Sequence, residues 1–282
     1  MRLLLPLAIC LSGIVSPFVT SGVHAQQSAV KRGIERSMEK KYADPQRKKG
    51  KEEIEKVTYE NDKRYKDPNN KTQATIVFEQ KDFNKKGELK ETRRDKIVFG
   101  KTGECMVMNE GRKEEMWMIF NYADKANYMV NVKDKTAMKM PLINMKKMIE
   151  KGAQKEAERM HEGKASWQAT EERQTINGYN CRKFIYTYSD NPHFSTMEAW
   201  VSRDVKLDLS GNYLLGARLE TYKFPDNTEY KDMINGFMVR TVLYNKKGNP
   251  ENQRDLVALQ PSADEKYFDL SAFKINDVLS GL

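Results

Sequence analysis

From residue 72 to about 142 the chain alternates apolar and polar side chains with a period of two, which predicts strands and not helices. Ala74, Ile76 and Phe78 open this stretch, and KIVFG, CMVM, EMWMIFNY and NYMVNVKD continue it. GKTG, NEGRK and ADKA separate these segments, a spacing that only an antiparallel meander accommodates. FNKKGEL, from Phe83 to Leu89, places Gly87 where a tight turn requires a positive φ. The period then changes. Between Ile143 and Lys164, Met145, Met148, Ile149, Gly152, Ala153, Ala157 and Met160 form one apolar stripe, which predicts an amphipathic helix. Strands resume in SWQATEERQTI, CRKFIYTYSD, STMEAWVSRD, ARLETYKF and GFMVRTVLYN, and YNKKGNP repeats the earlier turn. Nearer the start, Val30, Ile34, Met38 and Tyr42 recur every four residues, and Asp44-Pro45 ends that helical pattern. QRKKGKEEIEK, from Gln46 to Lys56, reads as a charged connector.

The order helix, strands, helix, strands contains no strand–helix–strand alternation. It predicts an α+β fold: a mostly antiparallel sheet with helices on one face, long enough that it is expected to curl.

The first 25 residues stand apart from this pattern. Arg2, an apolar run from Leu3 to Val19 and Val23-His24-Ala25 predict a signal peptide cleaved before Gln26. The predicted organisation is therefore a signal peptide over 1–25, a basic, partly helical region over 26–71 and a single domain over 72–282. This implies a periplasmic or secreted protein, soluble after cleavage. The formal net charge of +9 would point to nucleic acid inside a cell. Export removes that partner and leaves an anionic membrane or envelope surface. Cys105 and Cys181 remain after cleavage, and an oxidising compartment allows them to pair as a disulfide.

Little of the sequence supports catalysis. His161 and His193 are the histidines beyond the leader, and no nucleophile elbow, H-E-x-x-H or phosphate-cradling glycine loop occurs. Neither an enzyme nor a cofactor is expected. The methionines are more informative. Met106 and Met108, Met116 and Met118, and Met138 and Met140 form three M-x-M steps, each pair on one strand face. Such sulfurs suit Cu(I), and equally a surface that adapts to acyl chains or a filled core. A one-residue slip in register would replace them with Val107, Trp117 and Ile119.

One segment carries a family resemblance. In TINGYNCRKFIYTYSDNPHFSTMEAWVSRDVKL, Ile176, Gly178 and Tyr179 lead into Cys181, Arg182 and Phe184, and a second strand ends in Trp200, Val201, Ser202 and Asp204. This resembles the lipoprotein-carrier superfamily of exported proteins, the LolA/LolB-like outer-membrane lipoprotein localisation group. It is most similar to an uncharacterised exported bacterial family of the DUF4412 type, in which methionine-rich strands precede a step like Lys139-Met140-Pro141. The resemblance implies a strongly curved antiparallel sheet, an open or incomplete β-barrel with helices covering the concave face, whose cavity takes lipid or lipoprotein acyl chains.

The expected function is a carrier holding a hydrophobic ligand, lipid or lipoprotein, against Met106, Met108, Met116, Met118, Met138, Met140, Phe184, Tyr186 and Trp200. The alternatives are an envelope interaction protein with a filled core and no ligand, and a Cu(I)-binding protein using the M-x-M pairs.

Overall fold

The alternation beginning near residue 72 becomes six strands that pair in chain order. They are β1 (Ala74–Phe83), β2 (Leu89–Phe99), β3 (Gly103–Met108), β4 (Met116–Asn121), β5 (Ala126–Asn131) and β6 (Thr136–Pro141). β7 (Ala165–Ile176), β8 (Tyr179–Tyr188), β9 (Phe194–Ser202) and β10 (Phe237–Asn245) form a second meander. The structure, a computed structural model, describes residues 69–141, 154–207, 233 and 236–277. The expected N-terminal helix, the connector, the ARLETYKF strand and the first part of the helix from Ile143 lie outside the described residues.

One strand absent from the sequence reading joins the two meanders. β11 (Pro250–Gln260) pairs antiparallel with β1 on one side and β10 on the other. Among the described residues the result is one twelve-stranded sheet ordered β12-β6-β5-β4-β3-β2-β1-β11-β10-β9-β8-β7, in which β12 (Lys274–Asp277) adds in parallel to β6. Among the described residues its two edge strands do not pair with each other, so the curved sheet is open.

The two N-K-K-G turns take one shape and meet. Gly87 and Gly248 have φ values of 83° and 76°, and each N–H donates to the carbonyl of the asparagine three residues before it, at 2.9 Å. Asn249 Nδ2 donates to the Lys85 carbonyl at 3.1 Å, clamping the β10–β11 turn to the β1–β2 turn.

Of the helix expected from Ile143 to Lys164, the described residues hold the second half. Among the described residues a helix, α1, spans 154–161. It ends at Gly163 (φ 71°), where the Gly163 and Lys164 N–H groups donate to the Met160 and Arg159 carbonyls, a Schellman closure. Met160 packs against the cluster of Trp167, Tyr186, Tyr188 and Leu243, at the β7–β10 end of the sheet. One face of β3 to β6 is covered, among the described residues, by an irregular strap. Tyr267 is buried on Val98, Cys105, Val107, Trp117, Ile119, Tyr128, Val130 and Ala137, and Phe268, Leu270 and Phe273 pack beside it. Trp117 takes the Tyr267 ring edge-on at 5.1 Å and the Phe273 ring at 5.2 Å.

Candidate functional site

Residues directly opposite each other on paired strands share a face of the sheet, so register decides which side chains meet. Here Ile97 faces Met106, Met106 faces Met118, Met118 faces Met129, and Met129 faces Met138. Four methionines thus form one unbroken row across β3, β4, β5 and β6. Met108 and Met116 oppose each other one step along, and Met140 lies opposite Asn127. The three M-x-M steps do share a single face, and Met129 joins them. It escaped the sequence reading because Tyr128 and Val130 are the stronger apolar signals in NYMVN.

The row runs from closed to open. Met106 and Met118 are 8% and 4% exposed and belong to a cluster with Ile76, Phe78, Ile97, Phe99 and Phe120. Met108, Met116, Met129, Met138 and Met140 are only half-buried. The other face of the same strands holds Val107, Trp117 and Ile119, sealed under the Tyr267 strap. The one-residue alternative is therefore core, and the methionine face is the accessible one.

The three aromatic candidates do not stay together. Trp200 packs in the cluster of Met106 and Met118. Phe184 and Tyr186 belong to a separate cluster with Trp167, Met197 and Ala199. Around that cluster, Trp167 Nε1, Tyr186 Oη, Tyr188 Oη and Glu156 Oε1 are buried and find no hydrogen-bond partner among the described residues. Burial raises the Glu156 carboxyl above its ordinary range, against the lowering effect of Arg159 and with the help of Asp190.

Cys105 and Cys181 are free, buried thiols. Cys105 lies under the strap and Cys181 in the cluster of Met106, so the sheet assigns them to different clusters. Burial pushes the Cys105 thiol well up and the Cys181 thiol up to about 11. His161 and His193 are both exposed. Among the described residues, no group of three or more His, Cys, Asp or Glu side chains converges on a metal-sized site.

A cavity of about 560 Å³ opens at the far ends of β7, β8 and β9. Arg173, Arg182 and Arg203 line it, with Asn180, Asp204 and the buried Cys181, Phe184 and Val201. Cys181, Arg182, Phe184, Val201 and Asp204 belong to the motif that carried the family resemblance, whereas Arg173 and Arg203 belonged to no motif.

The chain belongs to the family described as a domain of unknown function (DUF4412), whose pattern matches residues 70–275. The likeness read from Ile176 to Asp204 is thus one of membership. Among solved structures, an uncharacterized conserved protein from Thermus thermophilus is similar at 8% identity and a TM-score of 0.39, over 81% of this chain and 99% of that one. MucB, in the Pseudomonas aeruginosa MucA/MucB complex, is similar at 9% identity and a TM-score of 0.38, over 73% of this chain and 58% of that one. A LolA superfamily protein from Nitrosomonas europaea is similar at 9% identity and a TM-score of 0.27, over 77% of this chain and 94% of that one. No curated protein matches. No helix among the described residues is long and apolar enough to cross a membrane.

Proposed function

We propose that this domain is an exported binding module that holds a hydrophobic ligand, a lipid or the acyl chains of a lipoprotein, on its methionine face. One observation carries the reading: an in-register methionine row that is buried at Met106 and Met118 and half-open at Met129 and Met138, beside an opposite face that is already sealed. Stable cores favour side chains with few rotamers, whereas unbranched thioethers re-pack around shapes that vary. A face built for its own packing has little use for so many methionines side by side. The mechanism is burial without chemistry. Covering ~400 Å² of apolar ligand surface contributes about 10 kcal/mol before ordering costs, enough for a carrier that must also release. The basic surface suits docking on an anionic membrane or envelope component, in keeping with export.

Native mass spectrometry of the chain, purified from its host without detergent, tests this reading. A co-purifying mass in the lipid range supports it. A bare mass that takes up no acyl compound contradicts it, and an adduct formed only with added Cu(I) gives the methionine row to metal instead.

A further inference from the structure

Residues that oppose each other carry one face of the sheet from the β7 edge to the methionine row. Trp167 faces Tyr186, Tyr186 faces Met197, Met197 faces Leu243, Leu243 faces Asn252, and Asn252 faces Asp82. Asp82 shares its side of β1 with Ile76 by alternation, Ile76 faces Ile97, and Ile97 faces Met106. The aromatic cluster that Met160 of α1 packs against therefore lies on the methionine face.

Four hydrogen-bonding side chains meet in that cluster. Trp167 Nε1, Tyr186 Oη, Tyr188 Oη and Glu156 Oε1 each find no partner among the described residues, and all four residues are 6% exposed or less. The Trp167 and Tyr186 ring centres are 4.8 Å apart, and those of Tyr186 and Tyr188 are 4.6 Å apart. Glu156 reaches the group from α1. Burial raises the Tyr188 hydroxyl above its ordinary value and the Glu156 charge adds to the rise. Glu156 Oε2 accepts from Arg159 at 3.0 Å, and that guanidinium lies 5.9 Å from the centre of the Tyr188 ring. Arg159 also pairs with Asp190, so its charge is already compensated. A buried polar atom without a bond is costly, and native folds keep few of them. Four in one cluster mark a place for a group that the chain does not itself supply. Around them Met160, Met197, Met233 and Met238 form a second set of thioethers.

We propose that this cluster binds the amide linkage of an uncharged acyl amide. The indole N–H only donates, the two hydroxyls can donate, and Glu156 Oε1 accepts when ionised. A secondary amide offers a carbonyl to the donors and an N–H to the carboxylate. An anionic group would sit against Glu156, and a cationic one against Arg159. The inference deepens the carrier reading, on which it rests for the hydrocarbon chain, and the four methionines supply a surface for that chain.

Calorimetric titration of the full chain in mildly alkaline buffer tests this, using N-methyldecanamide, methyl decanoate and decyl methyl ether within their solubility limits. The expected order is amide, ester, ether, with the amide binding about tenfold or more tighter than the ether. A Tyr186→Phe/Tyr188→Phe variant keeps both rings and should bring the amide down to about the level of the ether. Its urea midpoint without ligand should stay as high as that of the natural chain, because the hydroxyls hold no bond there. Amide and ether binding equally to the natural chain would overturn the amide site and leave the carrier reading standing. An ester bound as tightly as the amide would overturn the choice of an amide, since Glu156 Oε1 then adds nothing. A variant that keeps the amide preference would also overturn the site, a lowered midpoint then giving the hydroxyls to buried water. Amide binding unchanged in a Met129→Asp/Met138→Asp variant, with the ether binding neither protein, would support the amide site and contradict the methionine-row reading. No binding by any of the three compounds overturns both.

Discussion

Met118 stands directly opposite Met129 across the β4–β5 pair, yet the first is 4% exposed and the second only half-buried. The boundary between packed core and open apolar face therefore runs through one row of like side chains. Substitutions along the row should separate stability from binding. Met118→Ala should cost about 2–4 kcal/mol, as removal of a buried side chain does. Met129→Ala and Met138→Ala should cost about 1 kcal/mol or less while weakening the binding of an acyl ligand. Urea midpoints on the three variants decide this, and equal losses at all three positions would make the whole row core.

The strap over the opposite face depends on two glycines. A Cβ at Gly103 would lie 2.8 Å from the Phe120 carbonyl oxygen and 3.1 Å from the Phe268 ring, and one at Gly100 would lie 2.6 Å from the same ring. Gly103→Ala should destabilise the domain by about 1–3 kcal/mol, because the backbone oxygen has nowhere to move. It should also disturb the Tyr267 and Phe273 rings around Trp117, so a shift in tryptophan fluorescence is expected along with the lower urea midpoint. A variant unchanged in both would show that the strap is not fixed here.

Glu156 gives a pH dependence of defined sign. Its folded-state value lies above the ordinary 4.5, chiefly through burial, with Asp190 adding to the rise and Arg159 opposing it. Between those two values the folded chain keeps a proton that the unfolded chain has lost. The contribution of this group to stability is therefore present at low pH and declines as pH rises from about 4.5 through the raised value. Glu156→Gln should remove that decline. Urea midpoints of the two proteins between about pH 4 and pH 7 should diverge; parallel curves would contradict the account.

The thiols should be silent in the folded protein. At about pH 8 a thiol with a pKa of about 11, as at Cys181, is about a thousandth thiolate, and burial likewise holds Cys105 in its thiol form. Labelling with an aromatic disulfide reagent should be slow in buffer and complete at both thiols in urea. Rapid labelling in buffer, or neither thiol labelled in urea, would contradict the structure.

Much of this architecture is legible in the residues because half-buried strands alternate. β3 to β6 and β8 to β10 follow that rule, and so does the shared methionine face. β11 does not. Its first half, Glu251 to Asp255, is polar on both sides of the strand. There Gln253 lies opposite Lys81 and Asn252 opposite Asp82, in an ionic stretch where Arg240 pairs with Asp255 and Lys81 reaches Asp255 at 3.6 Å. Without a period, the strand that joins the two meanders looks like a loop. The strap from Ala263 to Phe273 is equally aperiodic, since its aromatics are placed by tertiary packing alone. The arginine cavity was illegible for a third reason. Arg173 meets Arg182 only because β7 bulges between Ala169 and Arg173, shifting its register against β8. The split of Phe184 and Tyr186 from Trp200 likewise depends on how the sheet divides its clusters, which alternation within one strand does not report.

The central claim is that the open end of the methionine row is a ligand surface. The most direct test is titration of a long-chain acyl fluorophore into the natural chain and into a Met129→Asp/Met138→Asp variant shown by circular dichroism to be folded. Buried carboxylates without partners are costly, so the account predicts saturable binding by the natural chain and an affinity at least about tenfold weaker in the variant. Equal affinities in the two proteins, or no saturable binding by the natural chain, would contradict it.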